Sequence, residues 1–186
     1  MRAFPLVQRV AACGSAALLI AGCAANKPMV QQDRYKVDLS AYNAIRVVVD
    51  AAKEITPGEA LDATSAELRR HFVEQLRASG KFRLAEETPA ADKPLEARLT
   101  IASLRYVSGA TRGASTVVPI VGALAGRSAL AVDLKLTDIQ SGEVLLRMNA
   151  RQLERGGQNP FTATTGSQIA DIAKELAERV SASAKQ

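Results

Sequence analysis

Tryptophan is absent, histidine occurs once, and aromatic residues make up only 4% of the 186-residue chain. Few aromatic faces are therefore on offer for stacking bases, which argues against a nucleic-acid partner. The lone histidine, His71, stands beside Arg69 and Arg70. The sequence signals no nucleophile or orienting carboxylate for it, so it reads as an exposed helical residue rather than a general base. Glycines occur, but Gly109, Gly113, Gly122 and Gly126 do not have the spacing of a phosphate-cradling loop. Neither the apolar run from Val10 to Gly22 nor the uncharged run from Gly113 to Gly126 is long enough to cross a bilayer as a helix. Cysteine is limited to Cys13 and Cys23, and those two residues carry the first positive signal.

Arg2 and Arg9 precede an uncharged, mostly apolar stretch from Val10 to Gly22, and Cys23 follows it. A basic start, a short apolar run and small residues before a cleavage point form the layout of a secretory signal. Leu19-Ile20-Ala21-Gly22-Cys23 resembles the bacterial lipobox, which implies cleavage before Cys23 and acylation of its sulfur. Cys13 also follows small residues, but only three residues separate it from Arg9, too few for the apolar region of a signal. Residues 1–22 are thus expected to leave as signal peptide, taking Cys13 with them. With Cys23 lipidated, neither a disulfide nor a Cys/His zinc site remains available. Loss of Arg2 and Arg9 lowers the formal net charge from +5 to +3. Residues 23–39 are polar and are expected to form a flexible tether, with residues 40–186 as a single domain. Ala24, where an aspartate would favour inner-membrane retention, implies sorting to the outer membrane.

Alternation and helical spacing outline the domain. Ala44 to Val49 holds three consecutive valines, as expected of a strand covered on both faces or nearly so. Leu61, Leu68, Phe72, Leu76 and Ser79 follow one side of a helix that Gly80 ends. Its start is open between Thr56-Pro57-Gly58-Glu59 and Thr64-Ser65-Ala66-Glu67, since both fit a capping box. Phe82 to Leu84 suggests a short strand. From Leu95 to Ile101 the odd positions are apolar, so that strand is half-buried, with a slip near Leu104.

The firmest tertiary expectation is a hairpin. Leu130, Val132, Leu134 and Leu136 are apolar at even positions, as are Val144, Leu146 and Met148 after the turn Gln140-Ser141-Gly142. A three-residue loop with Gly142 left-handed sets Leu136 against Leu146 and Leu134 against Met148, all facing one side. Asp138 opens this turn, where it is expected to bond loop backbone. Ile169, Ile172, Ala173, Leu176 and Val180 then form the stripe of a last helix. One-sided strands and two amphipathic helices satisfy each other in an α+β two-layer sandwich, a mostly antiparallel or mixed sheet of four to five strands with both helices on one face.

Between two strands, Gly113 to Gly126 carries no charge for 14 residues. A connection this apolar must pack on its own domain, meet a partner or touch lipid. Val117, Val118, Pro119, Ile120, Val121 and Leu124 are its candidate contact residues. Cys23, Tyr42 to Asp50, Leu76 to Phe82, Val117-Val118-Pro119 and Leu136 to Leu145 together resemble small uncharacterised bacterial lipoproteins of domain-of-unknown-function families. The hairpin and the helix-to-strand step are also loosely similar to TolB-amino-terminal-like and CsgG-like envelope domains. The resemblance supplies no catalytic residues.

The expectation is therefore a non-enzymatic outer-membrane lipoprotein without cofactor or metal, on the periplasmic side. It would be anchored to the membrane through lipid on Cys23 and bind an envelope protein or a second copy of itself, with no nucleic-acid partner. An accessory role in lipid or lipopolysaccharide transport is the alternative. A peptidoglycan-directed hydrolase is the more distant one, for which Asp133, Asp138, Glu143 and Glu154 are the carboxylates in or near strands.

Overall fold

The computed structural model describes residues 27–32, 38–85, 93–105, 129–153 and 165–184. In chain order these form β1 (Met29–Gln32), β2 (Ala44–Ala51), α1 (Glu59–Ser79), β3 (Arg83–Leu84), β4 (Pro94–Arg105), β5 (Ala129–Asp138), β6 (Val144–Leu153) and α2 (Thr165–Ser183). The strands make one mixed sheet in the order β1-β6-β5-β4-β2-β3. The expected α+β class is present, with six strands instead of four to five. β1 is the strand that the sequence did not announce. Residues 29–32, expected in a tether, pair antiparallel with β6, Val30 opposite Ala150.

Period-two alternation sets the inner face. Leu95, Ala97, Leu99 and Ile101 of β4 are fully buried, as are Val132 and Leu136 of β5 and Leu146 and Ala150 of β6. They join Ile45, Val47, Leu68, Phe72, Leu76, Ile169, Ile172, Leu176 and Val180 in one core. Both helices therefore cover the same face of the sheet. Each such aliphatic side chain removed from water stabilises the fold by roughly 1.5–3 kcal/mol. The backbone N–H of Leu39 donates to the carbonyl of Ser183 at 3.1 Å, tying the segment after β1 to the end of α2.

The hairpin register is as its sequence dictates, Leu134 opposite Met148 and Leu136 opposite Leu146. Gly142 has φ +75°, the left-handed turn position that favours glycine. Leu145 is the extra residue of a bulge, because Thr137 pairs with Val144. A second irregularity lies between Ile101 and Ser103 of β4, a little before the expected slip. Gly80 ends α1 in the left-handed conformation at φ +65°. Neither proposed capping box starts that helix. The N-cap is Gly58, and Thr64, already inside, donates its hydroxyl to the carbonyl of Ala60. The valine run of β2 is covered unevenly on its two faces. Val47 is buried among the core, but Val48 points to the uncovered face and is only half-buried.

Candidate functional site

Among the described residues no helix lies on the second face of the sheet, and the polar halves of the alternating strands meet there. Cross-strand register arranges them in rows. Arg46 pairs with Glu96 and Glu96 with Thr137. Val48 pairs with Arg98, Arg98 with Lys135, and Lys135 with Arg147. Asp50, Thr100, Asp133, Asn149 and Gln31 form the next row, and Arg151 pairs with Met29 beyond it.

At the β2–β4 side the charges are matched. Arg46 Nη2 donates to Glu96 Oε2 at 2.5 Å, and Arg98 Nη2 to Glu96 Oε1 at 3.0 Å. Arg98 Nη1 reaches Asp50 Oδ2 at 2.9 Å, and the Thr100 hydroxyl donates to Asp50 Oδ1 at 2.6 Å. The guanidinium of Arg46, helped by that of Arg98, holds the Glu96 carboxyl below its usual range against the opposing effect of desolvation. The Glu96 side chain is only 14% exposed, so its two arginine partners also shield it from water. The carboxylates of Glu96 and Asp50 in turn hold the Arg98 guanidinium protonated more firmly than usual.

The β5–β6 side is different. Asn149 donates its amide to Asp133, and Arg151 Nε donates to Asn149 Oδ1 at 2.8 Å. Lys135 and Arg147, directly opposite each other, form no ion pair with an acid among the described residues. A shallow depression of about 560 Å³ lies over this side, lined by four cations (Arg98, Lys135, Arg147 and Arg151) and a single carboxylate, Asp133. Such a surface attracts anions and is too open to exclude water, which suits contact rather than enclosed chemistry.

Of the described residues singled out by sequence as site candidates, Asp133 lines this depression and the others do not. Cys23 and the contact candidates Val117, Val118, Pro119, Ile120, Val121 and Leu124 lie outside the described residues, as does Glu154. The strand ends that flank the uncharged segment, Arg105 and Ala129, pair with each other. His71 is partly covered on α1, its Nδ1 3.5 Å from a Glu74 carboxylate oxygen. Asp138 is a turn residue: its Oδ1 accepts from the backbone N–H of Gln140 at 2.7 Å and of Ser141 at 3.1 Å, and its Oδ2 from the Tyr42 hydroxyl at 2.9 Å. The cationic row was missed, though a signal for it existed. The register that sets Leu136 against Leu146 also sets Lys135 against Arg147.

Asp138 gives a pH prediction. The Ser141 N–H, then those of Gln140 and the Tyr42 hydroxyl, hold its carboxyl below the ordinary aspartate value. A carboxyl whose folded-state pKa is depressed contributes stability that is fully present above its unfolded value, near 3.9, and lost as pH falls through the folded value. Tyr42→Phe removes one of the bonds that lower it. Acid unfolding followed by circular dichroism should then begin at higher pH than in the parent. An unmoved acid transition would show that this bond does not contribute.

No protein-family model matches the chain, and no curated protein matches it. Its fold is found among solved structures. A PelC dodecamer variant from Paraburkholderia phytofirmans is similar at a TM-score of 0.52 and 17% identity, over 86% of this chain and 99% of that one. A Xanthomonas campestris protein of family DUF330 is similar at a TM-score of 0.47 and 12% identity, over 81% and 89%. A Caulobacter crescentus protein provisionally named a lipoprotein gives 0.36 and 17%, over 74% and 85%. The likeness to the first of these is one of fold.

Proposed function

We propose that this chain is a non-enzymatic lipoprotein of the bacterial outer membrane that faces the periplasm and acts by binding another envelope component. Acyl chains on Cys23 supply the anchor and the α+β domain supplies the contact. The observation that carries this reading is the position of β1. The sheet begins at Met29, six residues after Cys23, and six residues of extended chain reach at most about 20 Å. A lipid on Cys23 would hold the domain close to the membrane, where a contact surface is concentrated against other envelope components. A second copy of the chain is the partner favoured by the fold likeness, since the Paraburkholderia protein is a dodecamer.

The test is to replace residues 1–22 with the signal of a non-lipidated secreted protein and to combine this with Cys23→Ala. Nearly all of the product should be recovered in the soluble periplasmic fraction, whereas the parent should stay with membranes through a high-salt wash. Mass spectrometry of the parent should show an acylated Cys23 as first residue. Retention of the variant on washed membranes, or an unmodified Cys23 in the parent, would overturn the anchor. Release of muropeptides by the purified protein would overturn the non-enzymatic reading.

A further inference from the structure

We infer that the uncovered face of the sheet docks on an anionic lipid surface, with Lys135, Arg147 and Arg151 meeting headgroup phosphates and Met29 entering the interface. This rests on the lipid anchor proposed above, which brings the face to a bilayer.

Charge is the first ground. Like charges directly opposite on neighbouring strands are destabilising. Lys135 nevertheless lies between Arg98 on β4 and Arg147 on β6. Arg98 is neutralised by Glu96 and Asp50. Lys135 and Arg147 have no such acid among the described residues. Asp133, the carboxylate of the depression, bonds the neutral Asn149 amide and offsets only one of the three cations Lys135, Arg147 and Arg151. What remains is a cationic strip whose repulsion an external anion would relieve.

Shape and position select the anion. The depression is open to solvent rather than enclosed, so it fits an extended layer of phosphates better than one buried molecule. Met29 is 70% exposed and pairs with Arg151, which puts an apolar side chain at the edge of the cationic strip. A basic face edged by an exposed apolar residue is the arrangement that binds at a headgroup boundary. Met29 is also the β1 residue nearest in sequence to Cys23. A second copy is the weaker occupant, because pairing this face with itself would oppose one cationic strip to another.

Each basic residue near an anionic leaflet favours the bound state about fivefold, within a Debye length. Reversing two of them should reduce docking by more than about 25-fold on the same basis. The experiment uses the mature lipoprotein carrying Met29→Cys, labelled with an environment-sensitive thiol dye and reconstituted into phosphatidylcholine vesicles with or without phosphatidylglycerol. The expected result is one reactive thiol per chain and a blue-shifted emission that needs phosphatidylglycerol. High salt should reverse the shift. Adding Lys135→Glu and Arg147→Glu should abolish it, with circular dichroism unchanged. Lys81→Glu with Lys174→Glu, the same charge change at exposed positions off this face, should preserve it.

Two reactive thiols would mean that Cys23 carries no lipid, which is a failure of the anchor. One thiol with no shift, or an equal shift in neutral vesicles, overturns the docking alone. A shift that appears without vesicles and grows with protein concentration overturns it in favour of a second copy on this face.

Discussion

Phe72→Ala is expected to remove about 3–5 kcal/mol of stability, the usual cost of deleting a buried aromatic side chain. Phe72 is 0% exposed in the middle of α1 and heads the fully buried residues by volume. It lies on the helix stripe that also buries Leu68 and Leu76. Truncation leaves a hole between helix and sheet that neighbours fill only in part. For a domain whose total stability falls in the common range of about 5–15 kcal/mol, this is between about a fifth of it and all of it. Urea unfolding should show a large fall in midpoint with little change in slope. Glu67→Ala, one residue before Leu68 and exposed, should stay within about 0.5 kcal/mol of the parent. A loss below about 1 kcal/mol for Phe72→Ala would mean that α1 is not seated on the sheet as described.

That stripe was legible in the sequence because its information is local. Helical spacing puts Leu68, Phe72 and Leu76 on one side whatever the rest of the chain does. Ile169, Ile172, Ala173, Leu176 and Val180 did the same for α2, and all five are buried. The β5–β6 hairpin was legible for a related reason. Its turn has only one comfortable place for Gly142, and that place fixes the register of both strands. β1 had no such signature. Met29-Val30-Gln31-Gln32 offers a single apolar residue, Val30, on its inward side, where Gln32 is the other position, so alternation of hydrophobicity had nothing to repeat. The backbone bonds to β6, more than a hundred residues later, make it a strand. The placement of β2 between β4 and β3 is similarly non-local. For the open face, each basic residue read separately as an ordinary solvent-side position. Only their alignment across three strands makes a surface, and Arg98 could be added to the row only once β4 was known to pair with β5.

The same alternation predicts opposite outcomes for two adjacent residues. Leu134 is 1% exposed on the inner face of β5, opposite Leu99 and Met148. Leu134→Lys would bury an ammonium with no partner in the apolar layer between sheet and helices, and a loss above about 4 kcal/mol is expected. A domain of ordinary stability would be left barely folded, visible as loss of a cooperative thermal transition. Lys135, the next residue, looks the other way, between Arg98 and Arg147. Lys135→Leu removes a cation from a row of like charges and replaces it with a good strand former. It should be neutral or stabilising by roughly 0.2–1 kcal/mol. If the uncovered face serves as a charged contact surface, that small gain in stability comes with a loss of binding. If Lys135→Leu instead lowers stability by more than about 1 kcal/mol, the ammonium is held by a partner in the folded protein and the reading of an unrelieved cationic row fails.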